Sequence, residues 1–224
     1  MPRSFPRVYP ILDASILPAE DRAALIKRLG GELTDAGVTL LEYRNKTGSE
    51  AELIADCETL RSAMPAGGVR LILDDRVDLV ARLEFDGVHV DAGDASPAEA
   101  RRLLGPNRII GTFGGSEALV EDILLAPVDY LSIGPVFSTR TKQTTRAPIG
   151  VEGVRWLRAQ TGPGPVLVAV GGITRATAAQ AILAGADVVA VSEGIFGQPD
   201  PATEFRAWVA ELGDKIDCGR KQIE

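Results

Sequence analysis

Short β-branched apolar runs alternate with longer stretches of helical period along almost the whole chain, about eight of each. The runs are VYPIL (8–12), VTLLEY (38–43), VRLIL (69–73), GVHV (87–90), RIIGT (108–112), YLSIG (130–134), VLVAV (166–170) and DVVAV (187–191). Most are apolar throughout, which suits parallel strands covered on both faces. Between them PAEDRAALIKRLGGELTDAG, SEAELIADCETLRSAM, RVDLVARLE, SPAEARRLL, SEALVEDILLA, VEGVRWLRAQ and RATAAQAILAG read as helices, and DPATEFRAWVAELG closes the series. Ser96-Pro97 and Ser116-Glu117 carry helix-start chemistry. Eight βα units in about 210 residues predict an α/β fold, a TIM (β/α)8 barrel forming one domain over 1–213, with 214–224 as a polar, frayed tail. The competing fold is a doubly wound open sheet. It would carry a Gly-rich phosphate loop after the first strand, and LDASILPAED is not one.

The 224 residues are 45% hydrophobic, ample for a buried core, and the formal net charge of −7 argues against a broad basic face for nucleic acid or an anionic membrane. Cys57 and Cys218 form neither a disulfide framework nor a zinc spacing, so a reducing cytoplasm is the expected setting. No segment approaches the roughly 18 apolar residues of a membrane span, and the first residues hold no apolar run of signal length. Against this acidic background SIGPVFSTRTKQTTRAPIG (132–150) gathers Ser138, Thr139, Arg140, Thr141, Lys142, Thr144, Thr145 and Arg146 without one carboxylate.

Chemistry in such barrels sits in the loops after the C-terminal ends of the strands. Here those loops are EYRNK, DDR, DAGD, TFGGS, the hydroxyl-rich segment, GGIT and SEGIF, so the unusual polar residues share one rim. Gly171, Gly172, Ser192 and Gly194 suit a phosphate cup of backbone N–H groups, the plainer reading being a tight turn. Asp74, Asp75 and Asp94, with Asp91 nearby, would repel one another unless solvated, paired or bound to a cation. Mg2+, held by one or two carboxylates and substrate phosphates, fits; the alternative is helix capping by Asp94 near Ser96 and by Asp74 or Asp75 near Arg76. The sole histidine, His89, reads as a core or rim residue and leaves no His-based nucleophilic triad. Arg44, Lys46 and Lys142 supply cations around the mouth, and Thr139 and Thr141 supply hydroxyls. Two anionic loci imply two phosphate-bearing substrates or one bisphosphate.

EYRNK, DDRVDLV, GVHVDAGD, GPVFSTRTK, VAVGGIT and GADVVAVSEGIF stand in the order and spacing of the thiamine phosphate synthase family, which the chain resembles from Tyr9 to Phe196. The resemblance implies a transferase that joins hydroxymethylpyrimidine diphosphate to thiazole phosphate with release of diphosphate. It assigns Arg44 and Lys46 to the pyrimidine diphosphate, Asp75 and Asp94 to Mg2+, Lys142 and Arg44 to catalysis at the departing diphosphate, and Thr139 and Thr141 to the thiazole phosphate side. Gly172, Val191 and Ser192, with Gly171 beside them, would be the phosphate cup. The chain departs from the family at Glu42, where glutamine is usual, at Asp74, where asparagine is usual, and at Asp91-Ala92-Gly93-Asp94. Thr112 takes the place of a serine after the fifth strand and inherits its catalytic role; Glu42 and Asp74 inherit substrate contacts. The related readings are a thiazole tautomerase, which joins no substrates, and a non-catalytic barrel binding thiamine intermediates. Expected partners are small phosphorylated molecules, not nucleic acid or membrane, with a homodimer left open.

Overall fold

The computed structural model describes residues 4–114, 126–139, 147–162 and 164–221, the last seven by their backbone alone. Eight parallel strands close into a barrel: β1 (Val8–Asp13), β2 (Leu40–Arg44), β3 (Arg70–Asp74), β4 (Gly87–Val90), β5 (Ile109–Phe113), β6 (Tyr130–Ile133), β7 (Val166–Val170) and β8 (Val188–Val191). Each pairs with the next, and β8 returns to β1 through Val8 opposite Val189. Alternation along each strand splits the core in two. Inward residues such as Tyr9, Leu40, Ile72, Ile109, Tyr130 and Val168 fill the barrel, while outward residues such as Leu41, Leu71, Val88, Ile110 and Leu167 pack under the helices.

The helices are α1 (Arg22–Asp35), α2 (Glu50–Ala63), α3 (Pro97–Leu104), α4 (Gly150–Thr161), α5 (Arg175–Leu183), α6 (Glu193–Phe196) and α7 (Pro201–Lys221). Their starts follow local chemistry. Ser49 and Glu52 form a reciprocal capping box on α2, and Ser96 accepts from the Glu99 N–H at the start of α3, with Pro97 in its first turn. Gly30 lets α1 lie against α2, because a Cβ there would sit 2.6 Å from Ala63 Cβ. Phe205, Trp208 and Leu212 place one face of α7 on the barrel.

Three departures from the sequence expectations are local. The helix expected over 76–84 is only a 3-10 turn, Val77–Leu79, because left-handed backbone at Asp75 and Glu84 confines it; Val77, Leu79, Val80 and Leu83 are buried nonetheless. The first helix begins at Arg22, after a 3-10 turn at Ala14–Ile16, not at Pro18. The last helix continues to Lys221, through the segment expected as a frayed tail. The helix expected after β5 lies outside the described residues.

One device recurs around the closed end of the barrel. Asp86, Asp129 and Asp187 each stand one residue before a strand, and Oδ2 of each accepts from a backbone N–H of the preceding strand, at Leu71, Ile110 and Leu167. Each also pairs with an arginine from a preceding helix, Arg61, Arg101 or Arg158. Those arginines donate in turn to nearby carbonyls, including Val69, Arg108 and Gly185. Helix ends and strand entries are thus tied together on the face opposite the functional loops.

Candidate active site

At the C-terminal ends of the strands the barrel opens into a cavity of about 710 Å3. Side chains from β1, β2, β3 and β4 meet the loops after β6, β7 and β8 there.

On the β1–β4 side, cations and carboxylates are interleaved. Arg44 forms an ion pair with Asp13 and reaches within 3.4 Å of Asp74; Lys46 pairs with Asp74 at 3.0 Å and with Asp75. The cations expected to face a diphosphate are therefore held by carboxylates of the chain itself. Asp13, which sequence reasoning missed, is separated from Arg44 by 31 positions and meets it only through β1–β2 pairing. Burial alone would raise the Asp13 carboxyl, but hydrogen bonds from Ser15 and the Arg44 charge bring it below the usual range. Asp74 behaves oppositely: burial pushes it up, to about 6, against the pull of Lys46.

The capping alternative is not what forms. Ser96, not Asp94, caps α3, and Asp94 Oδ2 accepts from the Asp91 N–H within its own loop over 2.8 Å. Asp75 sits at φ 67, a left-handed backbone uncommon outside glycine, beside Lys46; burial raises the Asp94 carboxyl, and nearby Asp75 adds to that rise. Asp75 Oδ1 is buried without a hydrogen-bond partner. A hard divalent cation taking oxygen ligands would satisfy both features. Among the described residues no group of three His, Cys, Asp or Glu side chains could hold a metal alone, so such an ion would draw further oxygens from substrate or water.

The floor is built from Tyr9, Glu42, His89 and Tyr130. All four are buried; burial, reinforced by the Asp74 charge, pushes the Glu42 carboxyl up to about 8. His89 is a floor residue, as its place in β4 predicts.

Opposite, the β7 loop presents Gly171 at φ 93 and Gly172 at φ 65. A Cβ on Gly172 would lie 2.3 Å from the Ser138 carbonyl oxygen, so that glycine also admits the backbone of the β6 loop. The contact is zipped by N–H groups of Val136 and Phe137 donating to the carbonyls of Val170 and Gly171, both at 2.9 Å. Ser138 and Thr139 thereby line the same cavity as Gly171, Gly172, Val191 and Ser192. Ser192 Oγ is buried without a partner, and it does not cap α6.

Thr112, expected as a catalytic residue, does not line the cavity. Gly111 faces inward, under the Tyr130 ring, and Phe113 lines the cavity, so alternation turns Thr112 outward, where its hydroxyl donates to the Val90 carbonyl over 2.8 Å. The inward side chain at this level of β5 is Phe113. Arg140, Thr141, Lys142, Thr144, Thr145 and Arg146 lie outside the described residues.

The model of the thiamine monophosphate synthase family (TMP-TENI) matches residues 8–195. Thiamine-phosphate synthase of Koribacter versatilis (strain Ellin345) is 40% identical over 201 residues, covering 89% of this chain and 94% of that protein. The enzyme of that name from Chloroflexus aurantiacus is 34% identical over 212 residues, 93% of this chain and 95% of its own. The solved structure of thiamine phosphate pyrophosphorylase from Pyrococcus furiosus superposes with a TM-score of 0.75 at 27% identity, over 92% of this chain and 96% of that one.

Proposed function

The chain belongs to the thiamine monophosphate synthase family, and on that premise we propose how its cavity serves the synthesis of thiamine phosphate. The protein is a transferase of phosphorylated small molecules: hydroxymethylpyrimidine diphosphate and thiazole phosphate combine, and diphosphate leaves. The observation that carries the assignment of ends is one cavity with two unlike polar ends, the Arg44, Asp13 and Asp74 cluster on one side and the glycine cup with its unpartnered Ser192 hydroxyl on the other.

In this reading the pyrimidine diphosphate lies on the β1–β4 side, its heterocycle over Glu42 and its diphosphate toward Arg44 and Lys46. Asp74 orients both cations through its ion pairs. Asp75 and Asp94 would hold Mg2+, whose chemistry is to neutralise charge on the diphosphate as it leaves. Gly171, Gly172, Val191 and Ser192 take the thiazole phosphate, with Thr139 at its side. Lys142 and Thr141, outside the described residues, keep the roles that the family resemblance implies. Arg44 stabilises the growing charge of the leaving group while the thiazole nitrogen attacks the pyrimidine methylene. Among the described residues no helix is long and apolar enough to cross a membrane, and the proposed setting is the cytoplasm.

The test is incubation of the purified protein with both phosphorylated precursors, with and without Mg2+, and analysis for thiamine phosphate. Product only when all three are present is the expected result. Isomerisation of thiazole phosphate alone would overturn it in favour of a tautomerase.

A further inference from the structure

The cavity floor is a single connected structure. Tyr9 comes from β1, Glu42 from β2, His89 from β4 and Tyr130 from β6. The Tyr9 hydroxyl donates to Glu42 Oε2 over 2.8 Å, the Tyr9 and Tyr130 hydroxyls are 3.2 Å apart, and the Tyr130 hydroxyl is 3.1 Å from His89 Nδ1. A phenol has one proton to give. Tyr9 gives its proton to Glu42, so Tyr130 donates to Tyr9, and His89 Nδ1 carries a hydrogen and donates to Tyr130. The polarity of the whole chain is set by one carboxyl oxygen.

The strands make room for it. A Cβ on Gly111 would lie 2.0 Å from Tyr130 Cζ, so β5 has a glycine where the Tyr130 ring crosses the barrel. The His89 ring stacks on Tyr130 with centroids 5.6 Å apart, and Tyr9 meets it edge-on at 5.9 Å. This packing fixes the two phenols and the imidazole within hydrogen-bond reach of one another.

Around Glu42 the facing groups are Tyr9 and Asp13 from β1, Arg44 from its own strand, Asp74 from β3, His89 from β4 with Asp91 just after it, and Tyr130 from β6. Arg44, the cation among them, is already engaged by Asp13 and Asp74. Glu42 is thus a buried carboxyl bonded to a phenol, with negative neighbours, and burial disfavours its charged form. Because Tyr9 occupies Oε2 as an acceptor, the proton of the neutral acid sits on Oε1, the oxygen left for what fills the cavity.

We propose that the Glu42–Tyr9–Tyr130–His89 chain presents Glu42 to the substrate as an oriented O–H donor for a pyrimidine ring nitrogen, making Glu42 a specificity-determining residue and Tyr9, Tyr130 and His89 positioning residues. The inference rests on the pyrimidine diphosphate being the substrate. An ionised Glu42 offers only acceptors to a ring nitrogen that is itself an acceptor, so binding requires the neutral form.

The experiment measures KM for hydroxymethylpyrimidine diphosphate from pH 6.5 to 9.5, at saturating thiazole phosphate and Mg2+, for the wild type, Glu42→Gln and Tyr9→Phe. With Glu42 titrating near 8, the wild-type KM rises about tenfold between pH 7 and pH 9, in proportion to the lost neutral fraction. In Glu42→Gln, whose amide donates at every pH, the rise shrinks to about twofold or less. Tyr9→Phe removes a donor that favours the charged form and moves the break to higher pH, an effect that a packing role would not produce. Calorimetry on the wild type in buffers of different ionisation enthalpy gives a readout without variants: binding at pH 9 takes up close to one proton. Coincident profiles for wild type and Glu42→Gln, an unmoved break in Tyr9→Phe, or no proton uptake would overturn the chain while leaving thiamine phosphate synthesis standing. Absence of thiamine phosphate at every pH would overturn both.

Discussion

Two orphaned atoms give the sharpest expectations at the level of single residues. Ser192 Oγ has no partner to lose, so Ser192→Ala leaves the melting temperature within about a degree, a surface-like effect. If that hydroxyl meets phosphate, the KM for thiazole phosphate rises roughly tenfold, since a hydrogen bond to a charged group is worth about 1.5–3 kcal/mol. An unchanged KM would leave the serine without a ligand. Asp75 Oδ1 is the second atom. Asp75→Asn and Asp94→Asn are expected to raise the Mg2+ concentration for half-maximal turnover by at least about tenfold, and a titration curve matching the parent would remove that residue from the ligand set. Which residues to test was readable from DDR and DAGD in the sequence; that Asp75, together with Asp74, already holds Lys46 was not, because ion pairs across neighbouring loops exist only after the strands are side by side.

Among the elements, the two ends of the barrel do separate work. The Asp–Arg ties stand at the closed end, so Asp129→Ala strips partners from Arg101 and the Ile110 N–H and costs about 1–3 kcal/mol of stability. The melting temperature drops by several degrees, at about 2–4 °C per kcal/mol for a chain of this size, while both KM values stay put. A changed KM would mean that the ties reach the site. The repeat has a sequence signature, an aspartate immediately before alternate strands and an arginine 25 to 29 positions earlier. At the open end Gly172→Val couples the two effects. Its φ of 65 disfavours any side chain, and the added Cβ meets carbonyl oxygens of Phe137 and Ser138. Stability falls by about 1–3 kcal/mol, and the thiazole phosphate KM rises because the β6 loop is pushed off the cup. A KM unchanged in a folded variant would reduce the glycine to a turn residue. Thr112 shows how an element misleads: RIIGT marks the right strand, but inward and outward positions exchange with every residue, and a frame one position off selects the wrong side chain.

For the molecule as a whole, the floor shapes the pH dependence of stability. The folded state keeps a proton on Glu42 up to about pH 8, whereas an unfolded glutamate loses it near 4.3. Between those values the native state binds more protons than the unfolded one, so stability decreases as pH rises, by up to about 1.4 kcal/mol per pH unit for this one group. Asp13 does not interfere: its depressed pKa contributes stability that is present above about pH 4 and is lost only in acid. Thermal melts should therefore show a lower melting temperature at pH 8 than at pH 5.5, with a shallower decline in Glu42→Gln. Equal slopes would mean that Glu42 is ionised in the native state throughout.

The sequence by itself determined the eightfold βα order, the parallel barrel and the rim that holds the polar loops. These follow from hydrophobic period and turn chemistry, which are local, and from the closure that eight such units favour. Tertiary structure alone decided the pairing of Arg44 with Asp13, the outward turn of Thr112 and the joining of Tyr9, Glu42, His89 and Tyr130 across the floor. Each depends on the register and inward frame of strands far apart in the chain, and the preference of a side chain for its own backbone carries no information about which distant strand will face it across the barrel.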